Sequence, residues 1–192
     1  MIPLTITDHV NKWKGCTQCE YGETRHKIVL GKGDIPCDIL FCGEAPGASE
    51  NVLGLPFIGK AGKILDRIVY KVFGSPQTNK YRIAYNNIIA CIPLVDGHEK
   101  EVPDDECIVS CRERLEEFIK IASPKLIIAV GKLSDDWLDQ TYKHAVRVPN
   151  KTPIVAIQHP ASILRMPVAG QSLAEHRCAV IISTAVNQYL GG

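Results

Sequence analysis

Four short apolar runs, at residues 38–42, 83–90, 125–130 and 153–157, constrain this chain more than any other feature. Each reads as a strand. Helical patterns fill the spaces between them. Residues 59–73 place Ile64, Leu65, Ile68, Val69 and Val72 on one stripe. Asp104 or Asp105 can cap a helix running to about Ala122, with Ile108, Cys111, Leu115 and Ile119 on its inner face. Ser134 opens a short helix, and residues 173–190 read as a final one. Strands that alternate with helices imply a sheet covered on both faces. The expectation is a three-layer α/β/α sandwich with a central, mostly parallel four-stranded sheet, formed by one domain over residues 1–192. In such sheets the ligand lies beyond the carboxyl ends of the strands. That rule points at the loops after Cys42, Ile89, Val130 and Ile157.

Composition narrows the setting. With 45% hydrophobic and 22% charged residues, the chain has the balance of a globular protein. No apolar run reaches the length of a membrane span, and the first residues fit neither a signal nor a transit peptide. A cytoplasmic monomer is expected. The net charge of +1 does not announce a nucleic-acid partner. Phosphates can still be held by helix N-termini and loop amides, which need no net charge.

The loops carry the unusual residues. The first runs from Gly43-Glu44-Ala45-Pro46-Gly47 to Gly59-Lys60-Ala61-Gly62. Its glycines let backbone approach a ligand, and its prolines stiffen the turns. Phe57, an aromatic among glycines, is a platform for a flat base. The second loop follows Tyr85-Asn86-Asn87. An asparagine in an apolar strand must find partners, either backbone groups or a ligand. The amide of Asn87 sets a donor beside an acceptor, which matches the O4 and N3–H edge of uracil. The third loop is His159-Pro160-Ala161-Ser162-Ile163-Leu164-Arg165. His159, at a strand's carboxyl end, can donate to a developing oxyanion. Leu164 can wedge into a base stack, while Ser162 and Arg165 can hold phosphates.

Eight cysteines in a chain read as cytosolic point to metal before disulfides. Cys37, Cys42 and Cys178 lie in apolar stretches and read as plain buried thiols. Cys16, Cys19, Cys91, Cys107 and Cys111 remain. The Cys16-Thr17-Gln18-Cys19 hook with two downstream cysteines suits zinc or a [4Fe–4S] cluster, and spacing alone does not choose.

Taken together, these motifs resemble those of the family-four, iron–sulfur uracil-DNA glycosylases. The G-E-A-P-G…G-x-P-F-x-G-x-A-G pattern is found from Gly43 to Gly62, the Asn…Cys-x-Pro pattern at Asn87, Cys91 and Pro93, and His-Pro with its following stretch from His159 to Arg165. The resemblance spans nearly the whole chain. It implies excision of flipped-out uracil from single- or double-stranded DNA, leaving an abasic site. It also implies that Cys16, Cys19, Cys91 and Cys111 bind [4Fe–4S]. Cys111 is preferred to Cys107 because it precedes the R-x-x-L sequence Arg112-Glu113-Arg114-Leu115. Phe57 would stack on uracil, Asn87 would read its edge, Glu44, Ala45 and Pro46 would line the pocket floor, and His159 would stabilise the departing anion. Ala45 stands where a better-known branch carries aspartate, so either Glu44 positions water or the oxocarbenium-like sugar reacts with little help.

Three departures stand out. The acidic pair of the family is Glu50-Asn51 here, Ile92 follows Cys91 where arginine is common, and Glu101-Val102-Pro103 lies in a longer loop before Cys111. Alternatives are a glycosylase for another modified pyrimidine, a covalent DNA adduct through His98, and a non-catalytic uracil-DNA binding module.

Overall fold

The computed structural model describes residues 4–75, 78–100 and 102–191; Glu101 lies outside them. The chain begins with α1 (Ile6–Trp13), closed by a reciprocal capping box between Thr5 and Asp8, and the short α2 (Tyr21–Thr24). Next come β1 (Lys32–Gly33), β2 (Ile39–Gly43), α3 (Ala48–Leu53), α4 (Lys60–Phe73) and β3 (Ile83–Asn87). A small hairpin, β4 (Leu94–Val95) and β5 (His98–Glu99), precedes α5 (Asp105–Ala122). Then β6 (Leu126–Val130), α6 (Lys132–Leu138), a 3-10 turn (Pro149–Lys151), β7 (Ile154–Ile157), α7 (Pro160–Leu164) and α8 (Val168–Val186) follow, with a π turn at Asn187–Gly191.

The main sheet has the order β1-β3-β2-β6-β7, parallel throughout except for antiparallel β1. It therefore has five strands rather than the expected four. The additional strand is a two-residue edge, too short to leave a periodic signal. The period-two pleat sends alternate residues of β2 to opposite faces. Leu40 and Cys42 join Leu115, Phe118 and Ile119 of α5, whereas Ile39 and Phe41 join Ile64, Leu65 and Ile68 of α4 and Ile182 of α8. Both faces are thus covered, which makes the three-layer α/β/α sandwich. Each fully buried Ile, Leu or Phe in these layers contributes about 1.5–3 kcal/mol.

Expected boundaries move at three elements, of which α6 starts at Lys132 rather than at Ser134. Strand β3 stops at Asn87 rather than at residue 90, because the Ile88 and Ile89 amides turn to donate to Gly43 O (2.8 Å) and Glu44 O (3.1 Å). The last helix starts at Val168 rather than at residue 173, directly after Pro167, and is α-helical only to Val186. Proline fits a helix entrance, since its missing N–H would be unsatisfied there in any case.

The topology places the ligand site. From central β2 the chain crosses to β3 on one side and later to β6 on the other. A crevice opens beyond the strand ends at such a reversal.

Candidate active site and cysteine pocket

A cleft of about 590 Å³ lies beyond the carboxyl ends of the strands. Glu44, Ala45, Pro46, Phe57, Asn87, His159, Ser162 and Arg165 all line it. Leu164 stands outside that lining, 39% exposed on the end of α7. His98 is exposed on β5 and is likewise not among the lining residues, although its neighbours Glu99 and Lys100 are.

Phe57 is held by close backbone approach. A Cβ on Gly43 would overlap the Phe57 ring and come within 2.6 Å of Asn87 Oδ1, and a Cβ on Gly62 would overlap the Phe57 backbone. Phe57 itself takes a left-handed φ of 51°, a conformation that bulky residues rarely adopt. Lys32 Nζ donates to Phe57 O at 3.1 Å, and the ring packs on Tyr85, centroid to centroid 6.0 Å. Glu50 fastens the same loop: its Oε1 accepts from the Ile58 and Gly59 amides at 2.8 and 2.7 Å, at the entrance to α4. Asn51 accepts from the His26 and Lys27 amides, tying the loop to the N-terminal segment. The Glu50-Asn51 pair is therefore a clamp on backbone.

The two adjacent asparagines divide their work. Asn86 is the structural one. Its Nδ2 donates to Leu30 O at 3.1 Å, while its Oδ1 accepts from the Asn87 amide and from Arg114. The Asn87 side chain is 2% exposed, and no described protein group bonds its amide, which sits on the cleft wall. Buried amides seldom go without a partner. The Asn87 amide is thus disposed toward whatever enters the cleft.

His159 is the N-cap of α7, and its Nδ1 accepts from the Ala161 amide at 3.1 Å. In the neutral ring this leaves the proton on Nε2 as a donor. Burial, aided by nearby Arg165, holds its pKa below the ordinary histidine value, so the neutral form persists into mildly acidic conditions. Ser162 Oγ donates to His159 O at 2.8 Å and is spanned by Gln158, so the turn is internally braced.

The sequence reading did not single out Lys60, Lys100, Val102 and Pro93 as cleft residues. Lys100 follows the β4–β5 hairpin, whose turn is Asp96-Gly97 with both φ positive. A D-G step between short extended pairs is a readable hairpin signal. Two-residue strands gave it no periodic support.

Cys16, Cys19, Cys91 and Cys111 line one enclosed pocket, together with Trp13, Ile28, Ala90 and Arg114. They arrive from the α1–α2 connection, the loop after β3, and α5. Arg25 Nη1 donates toward Cys91 Sγ at 3.7 Å. Cys107, one turn earlier on α5, is not in this lining; its Sγ faces Glu20 Oε1 at 4.0 Å. Cys37 and Cys42 are buried thiols whose pKa values burial pushes up to about 12, and burial raises that of Cys178 too. Four soft donors from three segments line this one pocket, and thiolate is a ligand type of both zinc and iron–sulfur clusters.

The chain is similar to known proteins. The sequence profile of the Uracil DNA glycosylase superfamily matches residues 30–180. The chain is 32% identical to the Type-4 uracil-DNA glycosylase of Saccharolobus solfataricus over 69% of this chain and 57% of that protein. It is 27% identical to the Archaeoglobus fulgidus Type-4 uracil-DNA glycosylase over 85% of each. The chain thus spans little more than half of the first relative and most of the second. Among solved structures, wild-type Pedobacter heparinus SMUG2 matches with a TM-score of 0.55 and 16% identity, covering 78% of this chain and 76% of that one. At that identity the likeness shows the fold alone.

Proposed function

We infer the reaction from one premise: the chain belongs to the uracil DNA glycosylase superfamily. It is proposed to excise uracil from DNA and leave an abasic site for base excision repair. A single observation carries this reading. The Asn87 side-chain amide, unclaimed by described protein groups, and His159, whose Nδ1 is already occupied, line one cleft that also holds Phe57.

The proposed chemistry follows from those groups. The nucleotide is extruded from the stack, at a cost of roughly a few kcal/mol. Uracil then lies on Phe57, with its O4 and N3–H edge on Asn87. The C1′–N1 bond breaks and its electron pair leaves on the base. Charge grows at O2, where the neutral His159 donates from Nε2. A water, positioned by Glu44, supplies the oxygen that bonds to C1′, and its proton passes to the departing uracil. Ala45 has no carboxylate to share in this. Ser162, Leu164 and Arg165 are proposed to meet the DNA beside the extruded nucleotide, Leu164 as the wedge.

Cys16, Cys19, Cys91 and Cys111 are proposed to hold a [4Fe–4S] cluster, which would supply a structural tie between the N-terminal segment, the loop after Asn87 and α5. The donor set fits it, and so does the buried guanidinium of Arg114 in the same pocket, because four thiolates around such a cluster leave net negative charge.

The test is single-turnover excision by His159→Ala. The rate is expected to fall on the order of 10²–10³-fold, as for loss of one oxyanion donor, with DNA binding retained. An unchanged rate would remove His159 from the reaction.

A further inference from the structure

Arg114 is 1% exposed, yet it carries a permanent positive charge. Among the described residues it pairs with no carboxylate. Its Nη1 donates to Asn86 Oδ1 at 2.6 Å, and its Nη2 to Asn87 O and Ile88 O at 2.7 and 2.8 Å. The remaining edge, Nε, is buried with no hydrogen-bond partner. Arg114 also lines the pocket of Cys16, Cys19, Cys91 and Cys111. A buried charge without a counter-charge, and a buried N–H without an acceptor, are each costly. Both costs vanish together if the pocket holds an anionic group that accepts at Nε.

We propose that Arg114 is a positioning residue that couples the metal centre to uracil recognition, donating from Nε to the cluster's sulfur shell while its other two nitrogens fix Asn86 and the Asn87 backbone. This rests on the cofactor and substrate readings above. The guanidinium is rigid and planar, so its three donor directions move as one body. Any shift at the cluster edge therefore turns the Asn86–Ile88 segment. That segment carries the side-chain amide that meets uracil. Outer partners of this kind tune a metal centre as well as orient its ligands. A nearby positive charge favours the more negative, reduced state of a cluster, so Arg114 also raises its reduction potential.

The experiment compares iron-loaded wild type with Arg114→Gln and Arg114→Lys. It measures iron content, visible absorbance, midpoint potential, kcat and KM on uracil-containing oligonucleotide. For Arg114→Gln, the midpoint is expected to move to more negative potential and kcat/KM to fall about tenfold, the size typical of an outer-shell partner. Arg114→Lys keeps the charge but not the fork; its potential is expected to stay near wild type while kcat/KM still falls. If Arg114→Gln fails to retain iron, Arg114→Lys decides, and wild-type kcat/KM in that variant overturns the coupling. A fall in kcat/KM with an unmoved potential in iron-loaded Arg114→Gln overturns it as well, since a merely structural role predicts that pattern. Wild type without an iron–sulfur absorbance would instead overturn the cofactor reading, and the coupling with it. Normal iron in wild type with indifferent variants leaves that reading standing and removes only Arg114.

Discussion

At the residue scale, neighbouring side chains of the same type have opposite fates. Asn86 spends its amide on Leu30, Asn87 and Arg114, whereas Asn87 keeps its own for the cleft. This yields a paired prediction. Asn87→Ala is expected to lower kcat/KM for uracil excision by about 100-fold or more, because a site built to bond a substrate edge loses its partner. Its melting temperature is expected to stay near wild type. Asn86→Ala is expected to lower the melting temperature, since it strips acceptors from a buried guanidinium and a buried amide. Thermal unfolding and steady-state kinetics on the two variants check this, and equal thermal losses would contradict the division. His159 shows the same dependence on surroundings. Its backbone contact at Ala161 fixes which nitrogen donates, something the residue type alone could not say.

At the element scale, the loops are where pattern and structure part. The four parallel strands and the α4, α5 and α6 helices were legible because their apolar residues recur with period 2 or 3.6, and burial enforces that period. Gly59 and Asp104 stand at the N-caps of α4 and α5, close to where the sequence put them. Phe57, Asn87 and His159 line one cleft, in the connections at the carboxyl ends of β2, β3 and β7 to which the strand pattern pointed. Lys100 and the β4–β5 hairpin were not legible, since two-residue strands carry no period. The clamp made by Glu50 and Asn51 was also hidden. Its partners are backbone amides, which any sequence supplies. The α1–α2 connection with Cys16 and Cys19 is docked through Glu117, which accepts from Trp13 Nε1 at 2.9 Å and pairs with Lys12. The proposed cluster adds a second tie there. Cys19→Ser is therefore expected to lose most bound iron and to lower the melting temperature, whereas Cys107→Ser retains iron. Iron analysis with thermal unfolding checks this, and iron loss from Cys107→Ser instead would exchange the ligand assignment.

At the scale of the whole molecule, a net charge of +1 gives little long-range attraction for DNA. For the proposed DNA substrate, gripping is then expected to be local. Lys60, Lys100 and Arg165 line the cleft, and α3 begins beside it after Gly47. Such a surface can hold phosphates at the rim while the base enters between Phe57, Asn87 and His159. The sandwich supplies the rigid frame, the strand-order reversal supplies the crevice, and the cysteine pocket lies behind the Asn87 strand end, joined to it by Arg114. The most direct measurement is made on an oligonucleotide carrying one uracil. Incubation with the protein, then alkali, is expected to cut the strand at that position and release one equivalent of free uracil, with the matching thymine and cytosine strands intact. Tight binding of the uracil strand with no alkali-labile site and no released base would contradict the account.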